Sequence, residues 1–275
     1  MKKIIPIAGL LALPVLVGAI LYGCATNPIT GKKTIALVNN SQLLASSFQQ
    51  YEEFLNESTV ITGTAESALV ERVGNNIRLA AEKWLGAEGK LDYLQDYQWE
   101  YKLVQDDAVN AWCMPGGKIV VYTGILPVTQ TEAALAVVLG HEVSHALLNH
   151  GQQRMSADVL QQLGAAGLSI ATMEKSAETQ QLAMTAYGVG SQLFGTLPFS
   201  RKHESEADET GLILMTIAGY NPEEAIPFWE RMGSLSGGTA PPEFLSTHPS
   251  DETRIKNIRG WIPGAREKAA GLGVQ

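Results

Sequence analysis

Cysteine is nearly absent from this chain: Cys24 and Cys113 are the only two in 275 residues. If a leader claims Cys24, Cys113 stands alone, and one thiol cannot close an internal disulfide. Stability must then come from core packing, with Cys113 read as a small, buried, inert residue. Histidine is also scarce, with five in the chain, so an imidazole metal site has few ways to form. Internal repeats and low-complexity tracts are missing. The formal charge of -8 lacks the positive excess that phosphates demand, which excludes a nucleic-acid partner. What is present is an ordinary apolar fraction, enough for one domain behind a short leader.

The chain opens MKKIIPIAGLLALPVLVGAILYGCATNP. Lys2 and Lys3 precede an almost wholly apolar run, Ile4 to Tyr22, and small Gly23 precedes Cys24. A spanning helix needs about 20 apolar residues, and this run is close to that length. Pro6, Pro14, Gly9 and Gly18 weaken it as a permanent helix, and no basic stop-transfer cluster follows. The layout resembles a bacterial lipoprotein signal. It implies cleavage before Cys24, acylation of the Cys24 thiol, and a periplasmic protein held by lipid. Ala25 in place of Asp points to the outer membrane. The expected divisions are a leader at 1–23, a tether at 24–40, a catalytic domain at 41–262 and a tail at 263–275.

Helical spacing of apolar residues appears over Glu66 to Leu85, with Leu69, Val70, Val73, Ile77 and Leu79 near one face. Tyr97 to Val104 alternates as a strand does, and Lys118 to Tyr122 is a β-branched run behind Pro115-Gly116-Gly117. Glu132 to Leu148 is apolar almost all round, as buried helices are. Thr129 and Glu132 suggest a capping box at its start, and Gly151 a stop past its end. Ser156 to Leu197, rich in Ala, Gln and Gly, reads as a helical hairpin. Further helices are expected over Glu204 to Ala218, from Pro222, and over Asp251 to Ile258.

The buried helix carries HEVSH. His141 and His145 lie four apart, about 40° round a helix, so both can reach one zinc ion at ~2.1 Å. Glu142 falls beside the open coordination position, where it can take a proton from the attacking water. A catalytic zinc site needs a third protein ligand. The strongest downstream cluster is SRKHESEADETG, Ser200 to Gly211. Glu204 and Asp208 share a helix face there. Glu204 can bind metal while Asp208 orients a ligand histidine through its other ring nitrogen. Glu206 should point away. His203 reads as a surface histidine, and His150 as a cap at the end of the motif helix. His248, in THPS, is either a loop histidine before a proline or a group near the metal, stabilising an oxyanion or filling the water position.

Taken in order, NAWCMPGGKIVVYTGIL, LGHEVSHALLNHG, SRKHESEADETG and STHPSDETRI resemble the zinc metallopeptidases that include CaaX prenyl proteases and the HtpX- and BepA-type proteins. The leading NPITGKKTIALV resembles their exported lipoprotein members. The likeness runs from about Asn27 to Gly260. It implies an α+β, mainly helical gluzincin-type domain with a small β-sheet beside the HExxH helix. It implies one zinc held by His141, His145 and Glu204, with Glu142 as general base and Asp208 behind a ligand. It also implies substrate added as a strand along Lys118 to Thr123. Absence of several long apolar spans argues against a prenylated substrate.

The expected function is a lipid-anchored endopeptidase acting on unfolded or misassembled envelope proteins. The alternative is an envelope chaperone whose zinc site is latent, with the Ser156 to Leu197 hairpin over the cleft or His248 in the open position.

Overall fold

The computed structural model describes residues 23–192, 197–235, 244, 245, 248 and 252–274. The apolar leader therefore lies outside the described residues. In chain order the elements begin with β1 (Cys24–Thr26), β2 (Lys33–Ile35), α1 (Asn40–Glu57), β3 (Val60–Ile61), α2 (Ala65–Ala87), β4 (Glu100–Val104), β5 (Ala111–Met114) and β6 (Lys118–Tyr122). The longer helices that follow among the described residues are α3 (Glu132–Leu147), α4 (His150–Thr172), α5 (Ala177–Ser191), α6 (Leu197–Ile217), α7 (Ala225–Ser234) and α8 (Glu252–Gly271). The predominance of helix over two small sheets is the α+β, mainly helical architecture expected.

The chain divides into two compact units. One comprises residues 1–43 with 149–198, the other 44–148 with 199–275. The single catalytic domain expected over 41–262 is thus interrupted, because residues 149–198 pack with the N-terminal strands. The expected tail is also corrected. Helix α8 continues through Pro263 to Gly271. Burial of Ile262, Ala265 and Ala269 along one face outweighs the hydrogen bond that proline removes.

In the larger unit, Thr64 caps α2 and exchanges hydrogen bonds with Ser67 in a capping box. Val70, Val73, Ile77, Ala81 and Trp84 then recur at helical spacing and are buried. Leu79 is exposed; it lies about 200° round from Ile77. Four strands pair in the order β3-β4-β6-β5. β4 runs parallel to β6, and β5 runs antiparallel to it. The turn into β6 needs Gly116 and Gly117, both at positive φ near 90°, a region side chains disfavour. All five residues of β6 are buried.

This order corrects the expected substrate edge. Lys118 to Tyr122 has partners on both sides, so its backbone is spent. The strands at the two ends of the described sheet are β3 and β5, and β5 is the one beside β6. Pairing is a long-range property, which apolar content does not encode.

Helix α3 begins one turn away from the expected cap. Thr131 accepts the hydrogen bond from the Ala134 amide, 3.1 Å away, while Thr129 closes a preceding single turn. Asn149, at φ 56°, ends the helix; Gly151 already belongs to α4. The last carbonyls of α3 are satisfied by tyrosines: Tyr93 donates to Leu147 at 2.8 Å and Tyr97 to Ala146 at 3.1 Å. Such partners fix a helix end that would otherwise leave buried acceptors.

Candidate metal centre

Helices α3 and α6 meet backbone to backbone. A Cβ on Gly140 would stand 2.8 Å from the Gly211 carbonyl oxygen, and one on Gly211 2.7 Å from the Gly140 carbonyl carbon. Two glycines at the crossing let the helices approach closely enough for short side chains to span the gap. His141 follows Gly140 directly, and Asp208 lies one turn before Gly211. His141 Nδ1 is 2.8 Å from Asp208 Oδ1. With Asp208 accepting that proton, the lone pair on His141 Nε2 faces the other way.

It faces a cluster. One donor atom each from His141, His145, Glu204 and His248 lies within 4.8 Å of the other three. His141 Nε2 is 3.3 Å from Glu204 Oε2, and His145 Nε2 is 3.4 Å from Glu204 Oε1. The two Nε2 atoms are 3.0 Å apart. Donors held ~2.1 Å from one ion at tetrahedral corners stand ~3.4 Å apart. The set is therefore zinc-sized, and its nitrogen and carboxylate chemistry suits zinc. Burial alone would push the His141 imidazole down, but Asp208 and Glu204 beside its two nitrogens raise it to about 9. Burial opposes ionisation of Glu204, yet His141 and His248 hold its carboxyl far below the usual range. Two carboxylates thus converge on these rings, a field that also favours a cation.

His248, left open between two readings, lies within the cluster. Its Nδ1 is 2.7 Å from Glu204 Oε2 and 3.0 Å from His141 Nε2. Its Nε2 is 3.4 Å from Glu142 Oε1. Glu142 is buried and stands between the donor group and β5. The Cys113 thiol on β5 is pushed well up, first by burial and then by the Glu142 carboxylate nearby. Cys113 therefore faces the Glu142 side of the strand, while Trp112 packs edge-on against Tyr51 and Phe54 on the other.

Other expectations need revision. His203 is buried rather than on the surface, and does not join the four. His150 is the first residue of α4 and is buried. Glu206, by contrast, does point away from the cluster as expected, with Oε1 4.0 Å from Lys202.

Sequence reasoning missed Arg254. Its Nη2 is 2.6 Å from Asp208 Oδ1 and 3.7 Å from Glu204 Oε2. Its Nη1 donates to the His248 carbonyl at 3.1 Å. The guanidinium lies 3.4 Å over the Trp229 ring. Burial opposes the Asp208 charge, but Arg254 and then His141 hold its carboxyl down. One buried arginine so joins the second carboxylate helix to the residue-248 loop. The only signal was its place six residues after His248 in STHPSDETRI.

Comparison with known proteins settles the family. The sequence profile of Peptidase family M48 matches residues 79–262, more than half of the chain. The chain belongs to peptidase family M48. Members of this family are zinc-dependent metallopeptidases, and the match covers all four clustered donors, three of them on α3 and α6 and His248 in the loop before α8. It is 36% identical over 177 residues to the mitochondrial metalloendopeptidase OMA1 of Schizosaccharomyces pombe, covering 64% of this chain and 50% of that protein. With the OMA1 of Arabidopsis thaliana it is 38% identical over 180 residues, covering 66% and 35%. With the beta-barrel assembly-enhancing protease of Escherichia coli it is 30% identical over 164 residues, covering 57% and 33%. The M48 chain spans half or less of these relatives' lengths.

These relatives overturn the periplasmic, outer-membrane location expected from the leader. The relatives with higher identity and coverage are mitochondrial by name, and the bacterial match is weaker. A basic start followed by an apolar run encodes affinity for a membrane. Which membrane is decided by receptors that read more than hydropathy.

Proposed function

We propose that this M48 chain is a membrane-tethered zinc endopeptidase that cuts extended segments of unfolded or misassembled proteins. The observation that carries the reading is the position of Glu142 between the His141–His145–Glu204 donor set and the terminal strand β5. His141, His145 and Glu204 would hold the ion, with Asp208 behind His141. Zinc, when bound, supplies a Lewis acid that polarises a scissile carbonyl and lowers the pKa of the attacking water to ~7.

The remaining chemistry belongs to side chains. An extended peptide pairs with the free edge of β5 through backbone hydrogen bonds, which asks little of its sequence. Folded proteins seldom offer such an edge, so selectivity for unfolded segments follows from geometry. Pairing there lays the scissile bond beside Glu142. Glu142 takes the proton from the attacking water and returns it to the leaving amine nitrogen. The tether is supported by the apolar Ile4 to Tyr22 run and by Cys24, the exposed thiol behind it. The substrate class is supported by the name of the E. coli relative, a beta-barrel assembly-enhancing protease.

A second reading, a chaperone with a latent site, draws on His248. Its Nδ1 sits against both His141 and Glu204, where a fourth ligand would exclude water. The test is digestion of a reduced, carboxymethylated protein beside its folded parent. The endopeptidase reading expects fragments from the unfolded form only, none after chelation, and recovery on adding zinc. No fragments at full zinc occupancy would sink it. Fragments appearing only in His248→Ala would establish the latent site.

A further inference from the structure

The helical hairpin α4–α5 is built inside out. Its two helices meet through polar and small groups. The Tyr187 hydroxyl donates to the Gln161 carbonyl at 3.0 Å, and the Gln161 side chain reaches Ser191 at 3.0 Å. A Cβ on Gly164 would strike the Tyr187 hydroxyl. Most of the large aliphatic side chains of α4 face outward instead, with Leu160 and Leu168 only partly buried. Met155, Val159, Leu163 and Ile170 are all exposed, and on a helix they fall within about 80° of one another. They form one apolar stripe along α4. Met173, just past the end of α4, continues it at 69% exposure after Ile170 at 72%, and Leu182 on α5 is exposed at 71%. Isolated exposed leucines are normal, but a contiguous apolar patch marks something to be covered.

The chain itself says what covers it. The strand pair β1–β2 follows directly on the apolar Ile4 to Tyr22 run. Just past β2, the Leu37 amide donates to Ser156 Oγ at 3.0 Å, and Gln152 donates to the Val38 carbonyl at 2.8 Å. Cys24 pairs with Ile35 in the same strand pair. The stripe therefore starts, at Met155, beside the point where the membrane-seeking segment joins the fold. Charge agrees: between Lys175 and Arg201 the sequence holds a single charged residue, Glu178. No described helix is long and apolar enough to cross a membrane.

We infer that α4 and the α4–α5 turn lie in the surface of a lipid bilayer as an interfacial helix, alongside the N-terminal tether. The hairpin does not span. Its occupant is the acyl–headgroup boundary, reached by apolar area rather than by attraction to anionic lipid. This inference rests on the tethered reading above, and the experiment separates the two. The unaltered full chain is reconstituted in phosphatidylcholine vesicles containing a diazirine-bearing lipid, irradiated, and its lipid adducts are mapped by mass spectrometry.

Adducts are expected on residues 4–24 and on 155–173. The hairpin yield should exceed that at Leu79, an exposed leucine of the catalytic unit, by about fivefold or more. Leu163→Gln with Ile170→Gln should cut the hairpin adducts and leave those on 4–24. Adducts on 4–24 alone would overturn the hairpin inference and spare the tether. Adducts on the hairpin alone would support the inference and remove the tether. Adducts on neither would remove both. Hairpin adducts abolished by an excess of unfolded, carboxymethylated protein, with the tether still labelled, would reassign the stripe to protein substrates and overturn the inference.

Discussion

In the proposed zinc site Asp208 and Arg254 would act on the metal only through His141, so each can be tested apart from catalysis. Asp208 fixes which nitrogen of His141 carries the proton, at 2.8 Å. Asp208→Asn leaves the shape but turns a strong acceptor into an ambiguous one. Zinc affinity should fall about 10–100-fold, read by chelator competition. Arg254→Met removes the cation 2.6 Å from Asp208 and leaves a buried carboxylate without it. Breaking a buried pair from one side costs about 3–5 kcal/mol, to be read by urea unfolding. Part of this site was legible in the sequence. HEVSH places two rings on one helix face, and the i, i+4 spacing of Glu204 and Asp208 places two carboxylates together, because both follow from helix geometry. Arg254 was not legible, since a single arginine in a polar stretch carries no period and its carboxylate partners, Asp208 and Glu204, lie more than 40 residues away.

Between elements, the decisive contact is made by glycines. Gly211→Ala would push a methyl into the α3 backbone at 2.7 Å. The helices must part, at a cost of about 1–3 kcal/mol, and zinc affinity should fall with them although no ligand has changed. A variant binding zinc as tightly as wild type would show that the crossing does not set the site.

Glu88 offers a pH test between α2 and α8. It lies 2.8 Å from Lys268 and 2.8 Å from Lys90. Its own burial works against ionisation, but these lysines and Trp84 hold its carboxyl at about 2, below the ordinary 4.5. A depressed folded value means that its contribution is whole above pH 4.5 and fades as pH falls toward 2. Being partly exposed, it is worth about 1 kcal/mol or less. Glu88→Gln should lower stability by that amount at pH 7, with the gap to wild type closing below pH 4 in urea titrations.

At this scale the helices were readable from apolar period, and β6 from its β-branched run. The terminal position of β5 in the described sheet was not. Ala111–Met114 is short and mixed, and which strand ends a sheet depends on partners far along the chain.

Across the whole molecule, the sequence order of motifs gave the family, and the family gives zinc chemistry. The division into two units was not readable, because residues 149–198 continue the same helical pattern as their neighbours on either side. The compartment was misread for a different reason: an apolar leader reports affinity for lipid, and lipid is common to every membrane. What unifies the molecule is a buried acid, Glu142, set between a donor cluster and a terminal strand of the described sheet. The most direct test compares cleavage of a quenched extended peptide by the full chain and its Glu142→Gln variant, both at matched zinc content. Loss of a positioned base should slow cleavage by about 100-fold or more, with zinc affinity unchanged. A Glu142→Gln chain that cuts as fast as wild type would contradict the account.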